Sequence, residues 1–283
     1  MENFPYLRNL AGSLCIWARN PATEGQKDFT VDLCRHGILF GRVSFVIPCH
    51  NEEMNIPSLI EKLNDFYGKY IYEIIIVDDN STDRTAAVTE GLMGKYKHIR
   101  LIKRSPPNGV GLALRDGIRE ADGEYILIMD CDFQHIIPEM RDLFEAVVNG
   151  ADVVIGSRFS RESVLINYAF TKIIANRAFH LLANLFLGKR FRDVSNNLKI
   201  FRRQAAKALI IESGDFAANA ETGLKPILLG YKVTEVPISW INRSIDMGFS
   251  TFRILKVGPN YGKVLLRLVC KRINNRLRRS KIK

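Results

Sequence analysis

Apolar runs that suit buried strands alternate with helical segments between residues 42 and 157 of this 283-residue chain. Strands are predicted at residues 43–47, 73–77, 100–103, 125–129 and 153–155, and helices at 56–67, 82–93, 111–121 and 138–149. Ser81 or Thr82 is the predicted N-cap of the second helix. The alternation predicts βαβ units and an α/β fold, in which helices cover both faces of a mostly parallel sheet.

Polar residues follow four of the predicted strands. They lie at residues 48–53, 78–82, 130–134 and 156–158. In an open α/β sheet the ligand lies beyond the carboxyl ends of the strands, so the four segments are expected to converge on one crevice. A single cluster of this kind is often only turn chemistry. Four clusters at one edge of the sheet favour a binding site.

Asp130 and Asp132 flank Cys131 directly after a buried strand. Two carboxylates this close repel each other unless a cation lies between them. Oxygen ligands beside a crevice suit Mg²⁺ or Mn²⁺, which usually also holds substrate phosphates. Gln134 is placed to add a neutral oxygen. A lone D-x-D is a weak signal because acidic turns after strands are common, so the segment is a candidate metal site that needs support from the rest of the chain.

Two other nucleotide-binding motifs are excluded. Residues 108–111 resemble the start of a dinucleotide-binding glycine loop, but Leu114 stands where the third glycine belongs. The segment also does not follow the first strand, which argues against a dehydrogenase. No G-x-x-x-x-G-K-[ST] sequence is present, so a P-loop is not expected.

Composition further narrows the class of protein and the compartment in which it is expected. Apolar residues make up 47% and charged residues 25% of the chain, the profile of a folded globular protein. The five cysteines are scattered and form no C-x-x-C pair, so a disulfide framework is not expected and a reducing compartment fits. We find neither a run of about 18 apolar residues nor a secretory signal. We therefore expect a cytoplasmic protein.

The basic charge is concentrated near the C-terminal end. The net charge is +11, and residues 247–283 hold eleven basic residues and no acidic residue. Apolar residues recur there at three- and four-residue steps, at Tyr261, Val264, Leu265, Leu268, Val269 and Ile273. They predict a basic amphipathic helix over residues 261–277 that lies on an anionic membrane surface, rather than a nucleic-acid-binding segment. The alternative is a last helix packed on the domain and followed by a solvated basic end.

Three of the polar segments carry motifs that resemble a known family. They read VIPCHNEE at 46–53, IVDDNSTD at 76–83 and MDCDFQH at 129–135. In this order they are similar to the inverting glycosyltransferases of family 2, in particular to the dolichol-phosphate mannosyltransferase-like branch of polyprenyl-phosphate glycosyltransferases. A glycine segment at 108–117, a G-S-R at 156–158 and matches as far as Ser250 extend the resemblance over about residues 42–255. The resemblance implies a GT-A (Rossmann-like) fold with amphipathic helices at a membrane interface.

The same resemblance implies a function. The expected reaction moves a sugar from a nucleotide-sugar of the GDP-mannose or UDP-glucose type to a polyprenyl phosphate, dolichyl or undecaprenyl. The protein is expected to act peripherally on the cytoplasmic face of a membrane with an anionic surface. Residues 1–41 would form an extension of unassigned role, residues 42–255 the glycosyltransferase domain, and residues 256–283 a basic amphipathic segment.

The resemblance also assigns expected roles to single residues. The nucleoside pocket is lined by Pro48, Asn51, Glu52, Asp78 and Asp79. The metal, Mg²⁺ or Mn²⁺, is held on the donor diphosphate by Asp130, Asp132 and Gln134. The donor phosphates are contacted by Arg243 and Ser250. The lipid phosphate is received by Arg158, Lys172 and Asn176, and the acid on the acceptor side is Glu221. Catalysis is expected to depend on Asp132, Arg158 and Arg243, because an acceptor phosphate that is already ionised needs no strong general base.

Some features leave alternatives open. Residues 163–188 are apolar but interrupted by polar side chains, which suits either a pair of core helices or interface helices that guide a polyprenyl chain. Residues 196–199 read NNLK where the family usually has SGFR, so the identity of the sugar stays open. Two other functions also remain: a family-2 transferase that acts on a glycan, and a non-catalytic scaffold that binds membrane or nucleic acid.

Overall fold

The computed structural model describes residues 37–132, 136–242 and 254–280, and side chains of the last range from 257 to 273. The strands in these ranges are β1 (Val43–Cys49), β2 (Ile71–Asp78), β3 (Ile99–Lys103), β4 (Tyr125–Ile128), β5 (Val153–Ser157), β6 (Leu165–Ile166), β7 (Lys199–Arg202), β8 (Val233–Pro237) and β9 (Trp240–Ile241). The helices are α1 (Ile56–Tyr67), α2 (Thr85–Lys95), α3 (Val110–Glu120), α4 (Arg141–Val148), α5 (Phe170–Leu187), α6 (Arg203–Lys207), α7 (Ala218–Leu229) and α8 (Ile254–Ser280). Single 3₁₀ turns occupy Gly37–Leu39, Gly68–Tyr70 and Ile137–Met140.

Seven strands form one sheet in the order β3-β2-β1-β4-β7-β5-β8. All of them are parallel except β7, which runs antiparallel between β4 and β5. A second, two-stranded sheet pairs β6 with β9. The predicted α/β fold with a mostly parallel sheet is confirmed, and each of the five predicted strands lies within two residues of its predicted bounds.

The sheet is buried on both faces, which explains its continuous apolar strands. Successive side chains of a strand point to opposite faces. In β1, Phe45 and Ile47 belong to one core cluster with residues of α1 and α4. Val46 belongs to the cluster on the other face, with residues of α3, α7 and α8. Two apolar layers therefore enclose the sheet and fix the position of the strand ends.

Helix α2 begins three residues later than predicted. The amide oxygen of Asn51 accepts a hydrogen bond from the backbone N–H of Thr82 at 2.8 Å, and the Asp83 carboxylate accepts one from the backbone N–H of Thr85 at 2.9 Å. These bonds hold the residues before Thr85 in a loop. The prediction of Ser81 or Thr82 as N-cap is wrong because Asn51, far away in sequence, competes for the loop.

The glycine segment before α3 allows a close backbone approach. A Cβ atom on Gly111 would lie 2.2 Å from the carbonyl oxygen of Ser213, and the N–H of Gly111 donates to the Gly214 oxygen at 2.9 Å. Further along the helix, a Cβ on Gly117 would meet the Val46 side chain at 2.4 Å. The glycines therefore allow α3 to pack directly on the sheet and on the loop at 213–214.

The C-terminal helix packs on the domain. The predicted helix is present as α8, but Val264, Leu265 and Leu268 are buried in the core cluster that α7 also lines. The expectation that these side chains face a membrane is wrong, and the alternative of a packed last helix describes them. The predicted boundary at residue 255 lies inside α8.

Residues 163–188 form a short strand and one helix, α5, rather than a pair of helices. One side of α5 packs on the domain through Ala183 and Leu187. The other side exposes large apolar side chains, namely Phe170, Ile174, Leu181, Leu182, Leu185 and Phe186. Within the described ranges, no helix combines the length and the hydropathy that crossing a membrane requires.

Candidate active site

Four strand ends meet at one edge of the sheet, as the sequence predicts. Cys49 at the end of β1 is paired with Asp78 at the end of β2. Asp130 and Asp132 follow β4, and Ser157 ends β5. The edge also includes the start of β7, because this strand runs in the opposite direction from its two neighbours.

Asn51 and Glu52 join the loops that follow β1 and β2. The backbone N–H of Asn51 donates to the Ser81 hydroxyl at 2.9 Å, and that of Glu52 donates to the Thr85 hydroxyl at 2.9 Å. Asn51 has a left-handed backbone with φ 57°, a conformation that asparagine tolerates better than most residues. Pro48 lies half-buried in β1 beside these loops. The predicted nucleoside-side residues are thus brought together, while their contact with a nucleoside stays a prediction.

The carboxylates of Asp78 and Asp79 are buried and bonded within the protein. Asp78 accepts a hydrogen bond from the backbone N–H of Ser81 at 3.0 Å. Asp79 forms an ion pair with Arg104 and accepts from the backbone N–H of Gly109 at 2.6 Å. Both aspartates therefore shape the wall of the crevice.

Arg104 was missed in the sequence, although a basic residue directly after the third predicted strand is a visible signal. Its Nε donates to Asp116 on α3 at 2.8 Å, while its Nη1 pairs with Asp79. Arg104 therefore ties α3 to the end of β2 and holds the glycine segment beside the crevice.

Asp130 and Asp132 are both half-buried at the crevice. The side-chain amide of Asn197 donates to Asp130 Oδ1 at 2.7 Å, and the Asn197 amide oxygen is buried with no hydrogen-bond partner among the described residues. In the described part of the chain, no cluster of three or more His, Cys, Asp or Glu side chains is arranged to hold a metal by itself. Two half-buried carboxylates, one of them oriented by an amide N–H, fit a divalent cation that takes further ligands from a substrate diphosphate.

Arg158 and Asp193 form a buried ion pair beside the acidic segment. The guanidinium Nε and Nη2 donate to the two carboxylate oxygens at 2.7 and 2.9 Å. Burial raises the pKa of Asp193, but the charge and hydrogen bonds of Arg158 outweigh it and hold the pKa at about 2. The Arg158 guanidinium also lies 5.0 Å from the centre of the Trp240 ring. Arg158 is therefore held rigidly, and its contact with a lipid phosphate stays a prediction.

Lys172 and Asn176 lie on α5 near this pair. Burial lowers the pKa of Lys172, the neighbouring Arg158 charge lowers it further, and the Asp132 carboxylate opposes the shift. Asn176 Nδ2 donates to the Ser195 hydroxyl at 3.1 Å. The three predicted phosphate-binding residues are therefore close together, and Lys172 interacts electrostatically with both Arg158 and Asp132.

Glu221 is buried and bonded within the protein. Its carboxylate accepts hydrogen bonds from the backbone N–H groups of Glu212 and Ser213 at 2.7 and 3.0 Å, and it pairs with Lys225 at 2.8 Å. Burial raises its pKa, but hydrogen bonds from Lys225 and Ser213 outweigh that effect and lower it. Glu221 therefore anchors the loop before α7, and its predicted place beside an acceptor stays a prediction.

Three predicted site residues lie outside the described residues. They are Gln134, Arg243 and Ser250. Their roles stay predictions.

The segment before β7 lies beside the site and holds two buried polar residues that the sequence analysis did not single out. Asn196 donates to the Gly156 carbonyl oxygen at 2.6 Å, at the end of β5. The ammonium of Lys199 is fully buried and donates to the backbone oxygen of Asn219 and the hydroxyl of Thr222, both at 3.1 Å. Burial lowers the pKa of Lys199 to about 7. The only signal in the sequence was the departure of residues 196–199 from the family pattern.

Comparisons with known proteins agree with the fold and the motifs. The sequence profile described as Glycosyl transferase family 2 matches residues 44–210. A dolichol-phosphate mannosyltransferase of Pyrococcus furiosus is 30% identical over 202 residues, which are 70% of this chain and 56% of that protein. The chain thus aligns with just over half the length of that relative. A polyprenol monophosphomannose synthase of Mycolicibacterium smegmatis is 25% identical over 213 residues, 73% of this chain and 80% of that protein.

Among solved structures, the fold is similar to glucosyl-3-phosphoglycerate synthase from Mycobacterium tuberculosis in complex with Mn²⁺, UDP and phosphoglyceric acid. The TM-score is 0.60 at 20% identity, covering 83% of this chain and 82% of the other. At this identity the similarity supports the GT-A fold alone. With more than half of the chain matched by the family profile and the motif residues gathered at one edge of the sheet, the chain belongs to glycosyl transferase family 2, in its dolichol-phosphate mannosyltransferase-like branch.

Proposed function

We propose that this protein is an inverting glycosyltransferase that moves a sugar from a nucleotide-sugar to a polyprenyl phosphate at the cytoplasmic face of a membrane. The observation that carries the proposal is that Lys172 lies within electrostatic reach of both Arg158 and Asp132. Anionic ligands for a cation and cationic groups for a second phosphate then share one crevice. A donor diphosphate and an acceptor phosphate need this combination.

The donor half is formed by the ends of β1, β2 and β4. The loops held together by Asn51 and Glu52 form the nucleoside side. Asp130 and Asp132 would hold Mg²⁺ or Mn²⁺, with Gln134 as the third predicted ligand. The bound cation would stabilise the charge that develops on the nucleoside diphosphate as it leaves. Arg243 and Ser250 are proposed to contact the donor phosphates.

The acceptor half centres on Lys172 and Arg158. A phosphate monoester is already ionised near neutral pH, so the acceptor oxygen needs orientation and not deprotonation. The Arg158–Asp193 pair keeps the guanidinium in one place, while Lys172 lies half-buried on α5. The names of the Pyrococcus and Mycolicibacterium relatives, a dolichol-phosphate and a polyprenol transferase, support a lipid phosphate as acceptor.

The exposed face of α5 supports a membrane location. Leu181 is 72% and Leu185 75% exposed, and Phe170 and Ile174 lie on the same side of the helix, opposite to the side that carries Lys172. The basic residues of α8 would add attraction to anionic lipid, although its central apolar residues are used in packing. Residues 42–255 are the proposed catalytic domain, with α8 docked on it.

The first experiment measures binding of the donor. The melting temperature of the full chain is recorded with a panel of GDP- and UDP-sugars plus Mn²⁺, with and without a chelator, because a ligand that binds the folded state raises it. We expect a metal-dependent rise with one nucleotide, and no rise in Asp132→Ala. An equal rise in Asp132→Ala would contradict the site, and no rise with any nucleotide would favour the scaffold function.

The second experiment identifies the acceptor. The nucleotide-sugar that binds is supplied in radiolabelled form with undecaprenyl or dolichyl phosphate in vesicles, or with a soluble glycan. Label in the lipid extract is the expected result. Label only in the glycan would replace the lipid acceptor by a sugar acceptor while leaving the donor half of the proposal intact.

A further inference from the structure

Asn197 faces Asp130 because of the direction of β7. In the antiparallel register of β4 and β7, Ile128 is paired with Lys199. Asp130 lies two residues after the end of β4, and Asn197 lies two residues before the start of β7. Continuing the same register therefore brings Asp130 opposite Asn197. The side-chain hydrogen bond from Asn197 Nδ2 to Asp130 Oδ1, at 2.7 Å, joins the two positions.

The orientation of the Asn197 amide is fixed by its partner. An amide turned the other way would place its oxygen against the Asp130 oxygen, and two acceptors at 2.7 Å repel. The amide oxygen therefore points away from Asp130. It is buried, with Asn197 only 2% exposed, and has no hydrogen-bond partner in the described ranges. Buried polar atoms are nearly always paired, so an unpaired oxygen beside a proposed metal site indicates a partner that arrives with the ligand.

The backbone around Asn197 does not depend on its side chain. Asn196 donates to Gly156 at the end of β5, and Lys199 donates to the backbone oxygen of Asn196 and to that of Asn219. The segment is thus fixed to β5 and α7 by the residues on either side. This leaves the Asn197 amide with one described hydrogen bond, and that bond goes to a predicted metal ligand.

We propose that Asn197 is a positioning residue of the donor site, which holds the Asp130 carboxylate in the orientation that binds the divalent cation and reserves its amide oxygen for an O–H group of the bound donor. This inference rests on the proposed function, since it takes Asp130 as a metal ligand. Side chains that orient metal ligands commonly change metal affinity by about 10- to 100-fold when they are removed.

The test compares Asn197→Ala and Asn197→Leu with Asn196→Ala as the matched control, all in the full chain. Asn196 is 1% exposed, is also an asparagine, and its side-chain amide donates to the backbone oxygen of Gly156. The measured quantities are the Mn²⁺ dissociation constant in the presence of GDP or UDP, from the electron paramagnetic resonance signal of free Mn²⁺, and the melting temperature without metal. Leucine keeps the branching of asparagine at Cγ and leaves no empty space, so it separates the lost hydrogen bond from the cavity that alanine would leave.

Both Asn197 variants are expected to weaken Mn²⁺ binding by about 10-fold or more, with a melting temperature close to that of the wild type. Asn196→Ala is expected to melt at a lower temperature and to bind Mn²⁺ as the wild type does. Unchanged Mn²⁺ affinity in the Asn197 variants, or the same loss in Asn196→Ala, would overturn the positioning role while the metal site stands. A wild-type protein that binds no Mn²⁺ would instead overturn the proposed function, and the inference with it.

Discussion

Arg158 and Asp193 are joined by two parallel hydrogen bonds, Nε to Oδ2 at 2.7 Å and Nη2 to Oδ1 at 2.9 Å, in a buried setting between β5 and the segment before β7. The pair connects the G-S-R motif to the residues that lead into the antiparallel strand. It therefore couples the position of a proposed phosphate-binding cation to the integrity of the sheet.

Removing one partner of this ion pair is expected to lower the stability of the fold strongly. Asp193→Leu leaves a buried guanidinium without its partner, and such a loss commonly destabilises by about 3–5 kcal/mol. Arg158→Met combined with Asp193→Leu removes both charges and is expected to cost clearly less than the sum of the single changes. Urea denaturation of the two single variants and the double variant measures this coupling. Additive losses would mean that the two groups do not stabilise each other.

Lys172 is expected to act on the acceptor and not on the donor. Lys172→Met removes a proposed charge-assisted hydrogen bond to the lipid phosphate, a contact that contributes about 1.5–3 kcal/mol. The KM for polyprenyl phosphate should therefore rise by about 10- to 100-fold, while the dissociation constant of the nucleotide-sugar stays unchanged. Lys189, exposed just after α5, provides the matched control Lys189→Met. Equal kinetics in both variants would remove Lys172 from the acceptor site.

The outer face of α5 is expected to bind lipid bilayers. The double change Leu181→Ser and Leu185→Ser removes two side chains whose burial contributes about 3 kcal/mol in total, so binding to anionic liposomes should weaken by roughly 100-fold. Ile210, 75% exposed and outside α5, gives the control Ile210→Ser. Co-sedimentation at low and high salt measures both variants. The apolar contribution should persist at high salt, where the attraction of basic residues is screened. Equal binding of the double variant and the wild type would contradict the proposed surface.

Helix α8 is expected to stabilise the domain through its inner face. Leu268 is buried, and its replacement by alanine should lower the free energy of unfolding by about 2–5 kcal/mol. Leu266 is 62% exposed on the same helix, and Leu266→Ala should change it by less than about 0.5 kcal/mol. Thermal and urea denaturation of the two variants compare how much the buried and the exposed face of α8 contribute to the free energy of unfolding. A similar small effect of both changes would indicate that α8 is not docked in solution.

His180 is expected to destabilise the protein in mild acid. Burial lowers its pKa to about 4 in the folded state, whereas the unfolded chain binds the proton near pH 6.5. Between these values the unfolded state holds more protons, so stability falls as the pH is lowered. At pH 5 this one group should cost about 2 kcal/mol relative to pH 8.

His180→Gln is the test of that pH dependence. The variant has no titrating ring, so its free energy of unfolding should fall less between pH 8 and pH 5 than that of the wild type. A loss in the variant as large as the wild-type loss would mean that His180 does not titrate in this window. The buried neighbours Asp193 and Arg158 keep their charge throughout it.

The local pattern of apolar and polar residues in the sequence was enough to predict the parallel part of the sheet and its polar edge. Phe45, Val46 and Ile47 are apolar without alternation because both faces are covered, and the aspartates after β4 lie where the strand must end. These properties depend on residues within a few positions of each other. The family motifs likewise lie in short segments, so the sequence by itself determined the fold class and the candidate donor site.

Tertiary structure alone decided how distant segments meet. Asn197 and Asp130 are 67 positions apart in sequence, and their contact exists because β7 runs antiparallel between β4 and β5. The same limit explains Glu221, whose carboxylate binds the backbone of the loop before α7, and the inner face of α8, which packs on the domain. An amphipathic pattern shows that a helix has an apolar side but not whether protein or lipid will cover it, since either removes that side from water.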